Sequence, residues 1–125
     1  MAKFIYYNQN PDGNKENDCV TRAISLATNI KYSSIRKKLF HTAKLLDCEK
    51  LCHTCYSFLI ENVLKCTPVN CDYMSVDEFA EINNKGIYLA RMSGHITTII
   101  NGCIYDIWDC RDSLLTNAWK VKGYY

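Results

Sequence analysis

The spacing of the hydrophobic residues changes from a helical to a strand-like pattern about two-thirds of the way along the chain. Between residues 20 and 82 apolar side chains recur at helical spacing, whereas from residue 87 onward they form short runs rich in β-branched and aromatic residues. Helices first and strands after them are typical of an α+β domain. We therefore predict N-terminal helices packed on a small antiparallel sheet, in one domain that spans residues 1–125.

Four helices are predicted. The first is capped by Asn17 or Asp18, ends at 28–29 and carries Cys19 in its first turn. The others follow from apolar spacing and, in the last case, from a capping-box pattern at 75–78. The second is expected to begin at Ser33 or Ser34 and to carry Leu46 on its apolar face, the third to span 51–65, and the fourth to span 75–82.

Five strands are predicted, and two of them form a hairpin. An edge strand at 4–7 leads into a loop at 8–14 that is rich in turn-forming residues. The Asn101-Gly102 dipeptide separates two β-like runs, and both residue types tolerate the positive φ angles of a tight hairpin turn. The later strands are expected at 87–92, 95–100, 103–108 and 118–121.

The two-residue turn fixes the register of this hairpin. It pairs Thr97 with Asp106 and His95 with Trp108, so that His95 and Asp106 become diagonal neighbours on one face. Their Cα atoms are then about 7 Å apart, close enough for the carboxylate to accept a hydrogen bond from the imidazole. Asp109 follows the strand and is the alternative carboxylate if the strand ends early.

A histidine held by a carboxylate is a suitable base for a thiol. The carboxylate keeps the imidazole in one tautomer and keeps it basic. Cys19 lies at the positive end of a predicted helix, which stabilises a thiolate. We therefore predict a catalytic set of Cys19, His95 and Asp106.

Three short motifs resemble those of the papain-like cysteine peptidases. Asp-Cys at 18–19 is similar to the pair found in double-glycine leader peptidases, and Asp-Ile-Trp at 106–108 is similar to the Asn-Ser-Trp of papain. Gly-His at 94–95 resembles the start of the papain-like histidine strand. A longer set of segments, at 7–11, 18–24, 94–95 and 105–109, also resembles the sequences of a group of small uncharacterised proteins from phages and prophages of low-GC Gram-positive bacteria.

The resemblance implies a papain-like fold and assigns a role to each site residue. Cys19 would be the nucleophile, His95 the general base and acid, Asp106 the group that orients His95, and Trp108 a shield over the His–Asp hydrogen bond. It also implies a phage or other viral origin. It implies no cofactor and no metal.

The chain departs from the papain-like pattern at the residue that helps to bind the oxyanion. Papain-like enzymes usually place a Gln about six residues before the Cys, whereas this chain has Gly13 there. Asn17 and Asn14 are the nearest amides and are the oxyanion candidates, while Gln9 and Asn10 lie in the preceding loop.

Charge and composition limit the kinds of partner that the protein is expected to bind and the cellular compartment in which it is expected to occur. The net charge is +2, and the fifteen basic residues are scattered among thirteen acidic ones, so no nucleic-acid partner is expected. The N-terminus lacks the apolar core of a signal peptide, and no apolar run is long enough to cross a bilayer. We expect a cytoplasmic protein, in the host cell if it is phage-encoded, whose eight cysteines are mostly free thiols.

A zinc site is the competing interpretation of the cysteines. Cys52 and Cys55, followed by Cys66 and Cys71, form the best quartet of soft ligands. The first pair lies inside a helical pattern with Cys55 on its apolar face, which is unfavourable for a zinc knuckle.

Two functions follow from these observations. The first is a hydrolase, a thiol protease that acts on a peptide or isopeptide bond of a host or viral protein, or a related thiol acyl transfer. The second is a non-catalytic phage protein that uses a peptidase-like scaffold to bind and inhibit a host defence factor. The oligomeric state stays open.

Overall fold

A computed structural model describes residues 1–123 and has a mixed α+β architecture. Its first half contains β1 (Lys3–Tyr6), α1 (Cys19–Thr28), α2 (Tyr32–Leu46), α3 (His53–Phe58), a π-helical turn (Leu59–Val63) and β2 (Thr67–Val69). Its second half contains α4 (Val76–Ile82), β3 (Ile87–Met92), β4 (His95–Ile100), β5 (Cys103–Asp106) and β6 (Leu115–Val121). Within this range no helix has both the length and the apolar character needed to cross a membrane.

All six strands join one sheet, in the order β1-β5-β4-β3-β6-β2. The prediction of an antiparallel sheet is wrong at one edge. There β1 pairs in parallel with β5, from Lys3 opposite Cys103 to Tyr6 opposite Asp106. The other pairs are antiparallel. A parallel neighbour needs a long connection, and here helices and strands separate β1 from β5 in the sequence.

The predicted hairpin register is confirmed. Thr98 lies opposite Tyr105 and Ile100 lies opposite Cys103. Strand β5 nevertheless ends at Asp106 and not at residue 108 as expected. The backbone N–H of Ile107 donates to the carboxylate of Asp106 at 2.7 Å, so it is used locally and does not extend the ladder.

The predicted number of helices is confirmed, but the bounds and the winding of some helices differ from the prediction. Helix α1 begins at Cys19, and Asn29 ends it with a left-handed φ of 59°. The predicted third helix is shorter than expected because its second half, Leu59–Val63, is wound as a π-helix. The capping box of α4 is confirmed, since Ser75 Oγ accepts from the N–H of Glu78 at 3.1 Å while Glu78 Oε1 accepts from the N–H of Ser75 at 3.2 Å.

One strand was missed by the sequence analysis and another was predicted too short. Strand β2 is only three residues long, contains Pro68 and pairs with β6 at the sheet edge. A segment of this length is too short to show alternation. Strand β6 begins at Leu115, three residues before the predicted start at 118.

Helices cover both faces of the sheet, so the fold has three layers. Along β3, Leu89 points into a core built with α1, α2 and α3, while Tyr88 and Ala90 point into a second core built with α4. Helix α1 lies across β4, where Thr98 Oγ1 donates to the carbonyl of Ala23 at 2.7 Å. This contact anchors α1 against the strand that begins with His95.

Candidate active site

The three predicted catalytic residues meet at one end of the sheet. Cys19 is the first residue of α1, His95 is the first residue of β4 and Asp106 is the last residue of β5. Because β4 and β5 are antiparallel, the start of one lies beside the end of the other. Helix α1 brings its N-terminus to the same place, where Cys19 interacts with both His95 and the backbone of Ile96.

His95 and Asp106 form a short, buried hydrogen bond. The distance from His95 Nε2 to Asp106 Oδ2 is 2.6 Å, and the two side chains are 8% and 2% exposed. With Nε2 engaged by the carboxylate, Nδ1 is the ring nitrogen left for the thiol. The carboxylate thus fixes both the tautomer and the orientation of the imidazole.

The electrostatics of the site favour a thiolate next to an imidazolium. Burial on its own raises the pKa of the Cys19 thiol, but the hydrogen bond and charge of His95 outweigh it and leave that pKa below its ordinary value. Burial lowers the pKa of His95, whereas its hydrogen bonds to Asp106, Cys110 and Cys19 raise the pKa to about 11. The proton therefore resides on the imidazole at neutral pH.

This pairing predicts the pH dependence of alkylation at Cys19. A thiol with a lowered pKa stays deprotonated below the ordinary thiol pKa of about 8.5, so the alkylation rate of Cys19 with iodoacetamide should begin to fall at a lower pH than that of an ordinary thiol. In His95→Ala the lowering is removed, and the rate should fall about tenfold for each unit below the new thiol pKa. Mass spectrometry of Cys19 across pH 5–10 measures both profiles. Identical profiles for the two proteins would contradict the ion pair.

Asp106 is held by more partners than His95 alone. Its Oδ1 accepts from the Ile107 N–H at 2.7 Å and from Arg22 Nη1 at 3.3 Å. The buried thiol of Cys110 lies 3.9 Å from Oδ2 and donates to it. Burial raises the pKa of Asp106, but the hydrogen bond and charge of His95 lower it below the ordinary carboxyl value.

Arg22 connects Asp106 to a second buried carboxylate, that of Asp18. Arg22 Nε donates to Asp18 Oδ1 at 2.5 Å, and Asp18 Oδ2 accepts from Asn10 Nδ2 at 3.0 Å and from the Tyr32 hydroxyl at 2.7 Å. Asp18 therefore makes no side-chain cap on α1. Arg22 was not predicted as a site residue from the sequence, although the four-residue spacing from Asp18 places both on one side of a helix.

Trp108 and Asp109 take different positions beside the site. The indole of Trp108 lies next to the imidazole of His95, with ring centroids 4.5 Å apart and planes inclined by 47°. Asp109 is exposed and pairs with Arg111, at 2.8 and 2.6 Å from its Nε and Nη2. The alternative assignment of Asp109 as the orienting carboxylate is therefore wrong. Its oxygens pair with Arg111, whereas the carboxylate of Asp106 forms the hydrogen bond to the histidine.

Of the amides considered for the oxyanion, Asn17 lies beside the cavity next to Cys19. Asn14 is exposed, does not line that cavity and accepts a hydrogen bond through its main-chain carbonyl. The amides of Gln9 and Asn10 already donate to other side chains. The backbone N–H of Cys19 is in the first turn of α1, where helical N–H groups have no carbonyl partner within the helix.

A cavity of about 220 Å³ opens beside the thiol. At about 30 Å³ per water molecule it has room for roughly seven waters, which is enough for a side chain of a bound ligand. It extends from the start of α1 to the segment that joins α2 and α3. Its wall consists of Asn17, Cys19, Val20, Leu51, His53, Tyr56, Arg91, Gly94, His95 and Ile96.

The zinc quartet considered from the sequence does not form. Cys55 and Cys66 belong to the core on the α1 side of the sheet, whereas Cys71 is buried in the core on the α4 side. Among residues 1–123 the metal-ligating atoms that converge are those of His95, Asp106 and Cys110, which lie within 4.8 Å of one another. A soft metal ion there would bind the histidine nitrogen that now shares a proton with the aspartate. The histidine could not then keep the hydrogen bond that makes it a base, so metal binding and base catalysis would exclude each other.

Several residues that shape the site left no recognisable signal in the sequence. Arg91, Tyr56 and His53 belong to β3 and α3 and reach the cavity only through the packing of α3 on the sheet. Cys110 is one of eight cysteines, and only its distance to Asp106 sets it apart from the others. No protein-family model, curated protein or solved structure matches this chain.

Proposed function

We propose that the protein is a cysteine-dependent hydrolase that cleaves a peptide or isopeptide bond, or transfers its acyl group, through Cys19, His95 and Asp106. The observation that carries the proposal is the 2.6 Å hydrogen bond between His95 and Asp106 beside a thiol whose pKa is lowered by that histidine. A buried His–carboxylate pair next to an activated nucleophile is the arrangement that thiol acyl transfer requires.

The reaction follows from the positions of these groups. The Cys19 thiolate attacks the carbonyl carbon and forms a tetrahedral intermediate, and the His95 imidazolium gives its proton to the leaving nitrogen as the C–N bond breaks. The resulting thioester is attacked by water, and His95 accepts the proton of that water. Collapse of the second intermediate breaks the C–S bond, releases the acid and restores the thiolate–imidazolium pair.

Two groups beside the thiol can donate hydrogen bonds to the negatively charged oxygen of the tetrahedral intermediate. The helix N-terminus supplies the Cys19 N–H and a positive dipole, and the Asn17 amide borders the cavity. Asn17 makes no side-chain hydrogen bond to any other residue in the range 1–123, so its amide is available. Donors of this type stabilise the oxyanion in acyl transfer.

The proposal includes a papain-like fold, a phage or prophage origin and action on a host or viral protein in the host cytoplasm. The fold rests on the resemblance of the motifs at 18–19, 94–95 and 106–108 to those of papain-like peptidases. The origin and the site of action rest on the resemblance of the longer set of segments to phage proteins. Trp108, whose ring lies 4.5 Å from that of His95, occupies the place of the shielding tryptophan in that resemblance.

One observation favours the alternative of a non-catalytic binding protein that inhibits a host defence factor. The position that holds the oxyanion Gln in papain-like enzymes is Gly13, which is exposed and has no atom within 4 Å of where a Cβ would be. No side chain from that position contributes to the site. A scaffold of this kind can bind a partner without turnover.

The proposal is tested by labelling the thiols with limiting iodoacetamide at pH 7 and mapping the products. None of the eight cysteines, all of which lie within residues 1–123, forms a disulfide, and Cys19 is expected to be labelled first because its thiol combines a lowered pKa with partial exposure. Cys55 should react slowly, because burial and the nearby thiol of Cys48 raise its pKa to about 12.

The control for this experiment is His95→Ala, in which Cys19 should lose its advantage over the other thiols. An inert Cys19, with Cys52 or Cys110 labelled first in the folded wild-type protein, would contradict the assignment of the nucleophile.

A further inference from the structure

The wall of the cavity carries the guanidinium of Arg91, which forms no ion pair with a carboxylate among residues 1–123. Arg91 of β3 lines the cavity together with Cys19 and His95. Its Nε donates to the hydroxyl of Tyr56 at 2.5 Å, and its Nη1 donates to Thr116 Oγ1 at 2.7 Å and Asn117 Oδ1 at 3.3 Å. These acceptors are all neutral, and within residues 1–123 no Asp or Glu forms an ion pair with Arg91.

The other ionisable groups on the wall do not cancel this charge. Burial and the charge of Arg91 keep the pKa of His53 below its usual value, so that this imidazole is neutral near pH 7. The thiolate of Cys19 is already balanced by the imidazolium of His95. The residues of the wall include no Asp and no Glu, and Arg91 is the cationic side chain of the wall that pairs with no carboxylate among residues 1–123.

The contacts of Arg91 also fix its orientation. Tyr56 belongs to α3 and holds Nε, while β6 holds Nη1 through Thr116 and Asn117. Among the described residues the hydrogen bonds of Arg91 use Nε and Nη1, which leaves Nη2 for a ligand. A guanidinium fixed in this way loses little side-chain freedom on binding, and the N–H groups of Nη2 can donate charge-assisted hydrogen bonds to a carboxylate.

We propose that the cavity selects substrates that carry a carboxylate next to the reacting carbonyl, and that Arg91 is the residue that determines this specificity. The carboxylate can belong to an Asp or Glu side chain or to a free chain terminus, since the guanidinium binds the same group in either case. The inference rests on the proposed role of Cys19, and its test separates the two.

The test compares two alkylating reagents that differ in one charge. Iodoacetate and iodoacetamide both transfer a CH₂ group to the thiolate with loss of iodide, and only iodoacetate carries a carboxylate. The ratio of their rates at Cys19, followed by mass spectrometry, measures the attraction of the cavity for that group without any turnover. We expect this ratio to fall about fivefold in Arg91→Gln, the size of one partly exposed ion pair.

Two further variants complete the comparison. Lys120→Gln removes the same charge from an exposed position of β6 and should leave the ratio unchanged. Arg91→Lys keeps the charge and should keep most of the ratio even if Arg91→Gln does not fold. Equal ratios in wild type and in a folded Arg91→Gln would overturn the inference, whereas failure of Cys19 to react with either reagent would overturn the proposed function instead.

A protection experiment on the wild-type protein identifies the source of the carboxylate. Three short peptides compete with iodoacetamide: a capped peptide with Glu, the same capped peptide with Gln, and the Gln peptide with a free carboxyl terminus. Stronger protection by the Glu peptide than by the capped Gln peptide assigns the cavity to an acidic side chain. Stronger protection by the free carboxyl terminus assigns it to a chain end, and equal protection by all three peptides would overturn the inference.

Discussion

Replacing Cys19 with alanine is expected to abolish hydrolysis while the fold stays almost unchanged. The substitution removes one sulfur atom from a partly exposed helix start, so the free energy of unfolding should fall by about 1 kcal/mol or less. The rate should fall by at least about a thousandfold, because no other group replaces the nucleophile. Activity on a peptide library and urea unfolding of the same preparation measure the two quantities.

His95→Ala and the double variant provide the control for this prediction. His95→Ala should lose activity to a similar extent, and the double variant should be scarcely worse than either single one, because residues that act as a unit do not contribute additively. A binding protein would behave differently. If Cys19→Ala retained its full biological effect in a host cell, catalysis would be excluded and the inhibitor function favoured.

Replacing Asp106 with alanine is expected to destabilise the protein by about 3–5 kcal/mol. The carboxylate is 2% exposed and bonds to both His95 and Arg22, so its removal leaves the buried His95 without its carboxylate and leaves Arg22 paired with Asp18 alone. Asp109→Ala is the matched control, because Asp109 is exposed and pairs only with Arg111 among the described residues. That substitution should cost about 0.5 kcal/mol or less. Comparable losses in the two variants, measured by urea unfolding, would contradict the buried ion cluster.

The lowered pKa of Asp106 gives this prediction a pH dependence with a definite sign. A carboxyl whose pKa is lower in the folded state stabilises the protein above its ordinary pKa of about 3.9. That contribution is lost as the pH falls through the lowered value. The Asp106→Asn protein should therefore lose less stability than wild type between pH 5 and pH 2. Parallel stability curves for the two proteins would contradict the lowered pKa.

The cluster of Arg22, Asp18 and Asp106 explains why Asp18 precedes the helix without capping it. Arg22 lies between the two carboxylates, at 2.5 Å from one and 3.3 Å from the other. It thereby joins the N-terminus of α1 to the end of β5, the two elements that hold Cys19 and Asp106. The distance between nucleophile and base thus depends on a buried ion cluster as well as on apolar packing.

The sequence alone was sufficient for the features that depend on neighbouring residues. Apolar spacing predicted the four helices, the Asn101-Gly102 turn predicted the register of β4 and β5, and Ser75 with Glu78 predicted a capping box. These features are local, because a helix face, a tight turn and a cap each involve residues only a few positions apart. The register in turn was enough to predict that His95 lies beside Asp106.

Only the tertiary structure decided the features that depend on residues far apart in the chain. The parallel pairing of β1 with β5, the contact of Arg22 with Asp106 and the place of Arg91 in the cavity join segments that no local pattern relates. Such contacts result from the packing of helices on both faces of the sheet, since burial and charge pairing depend on distance in space and not on distance along the chain.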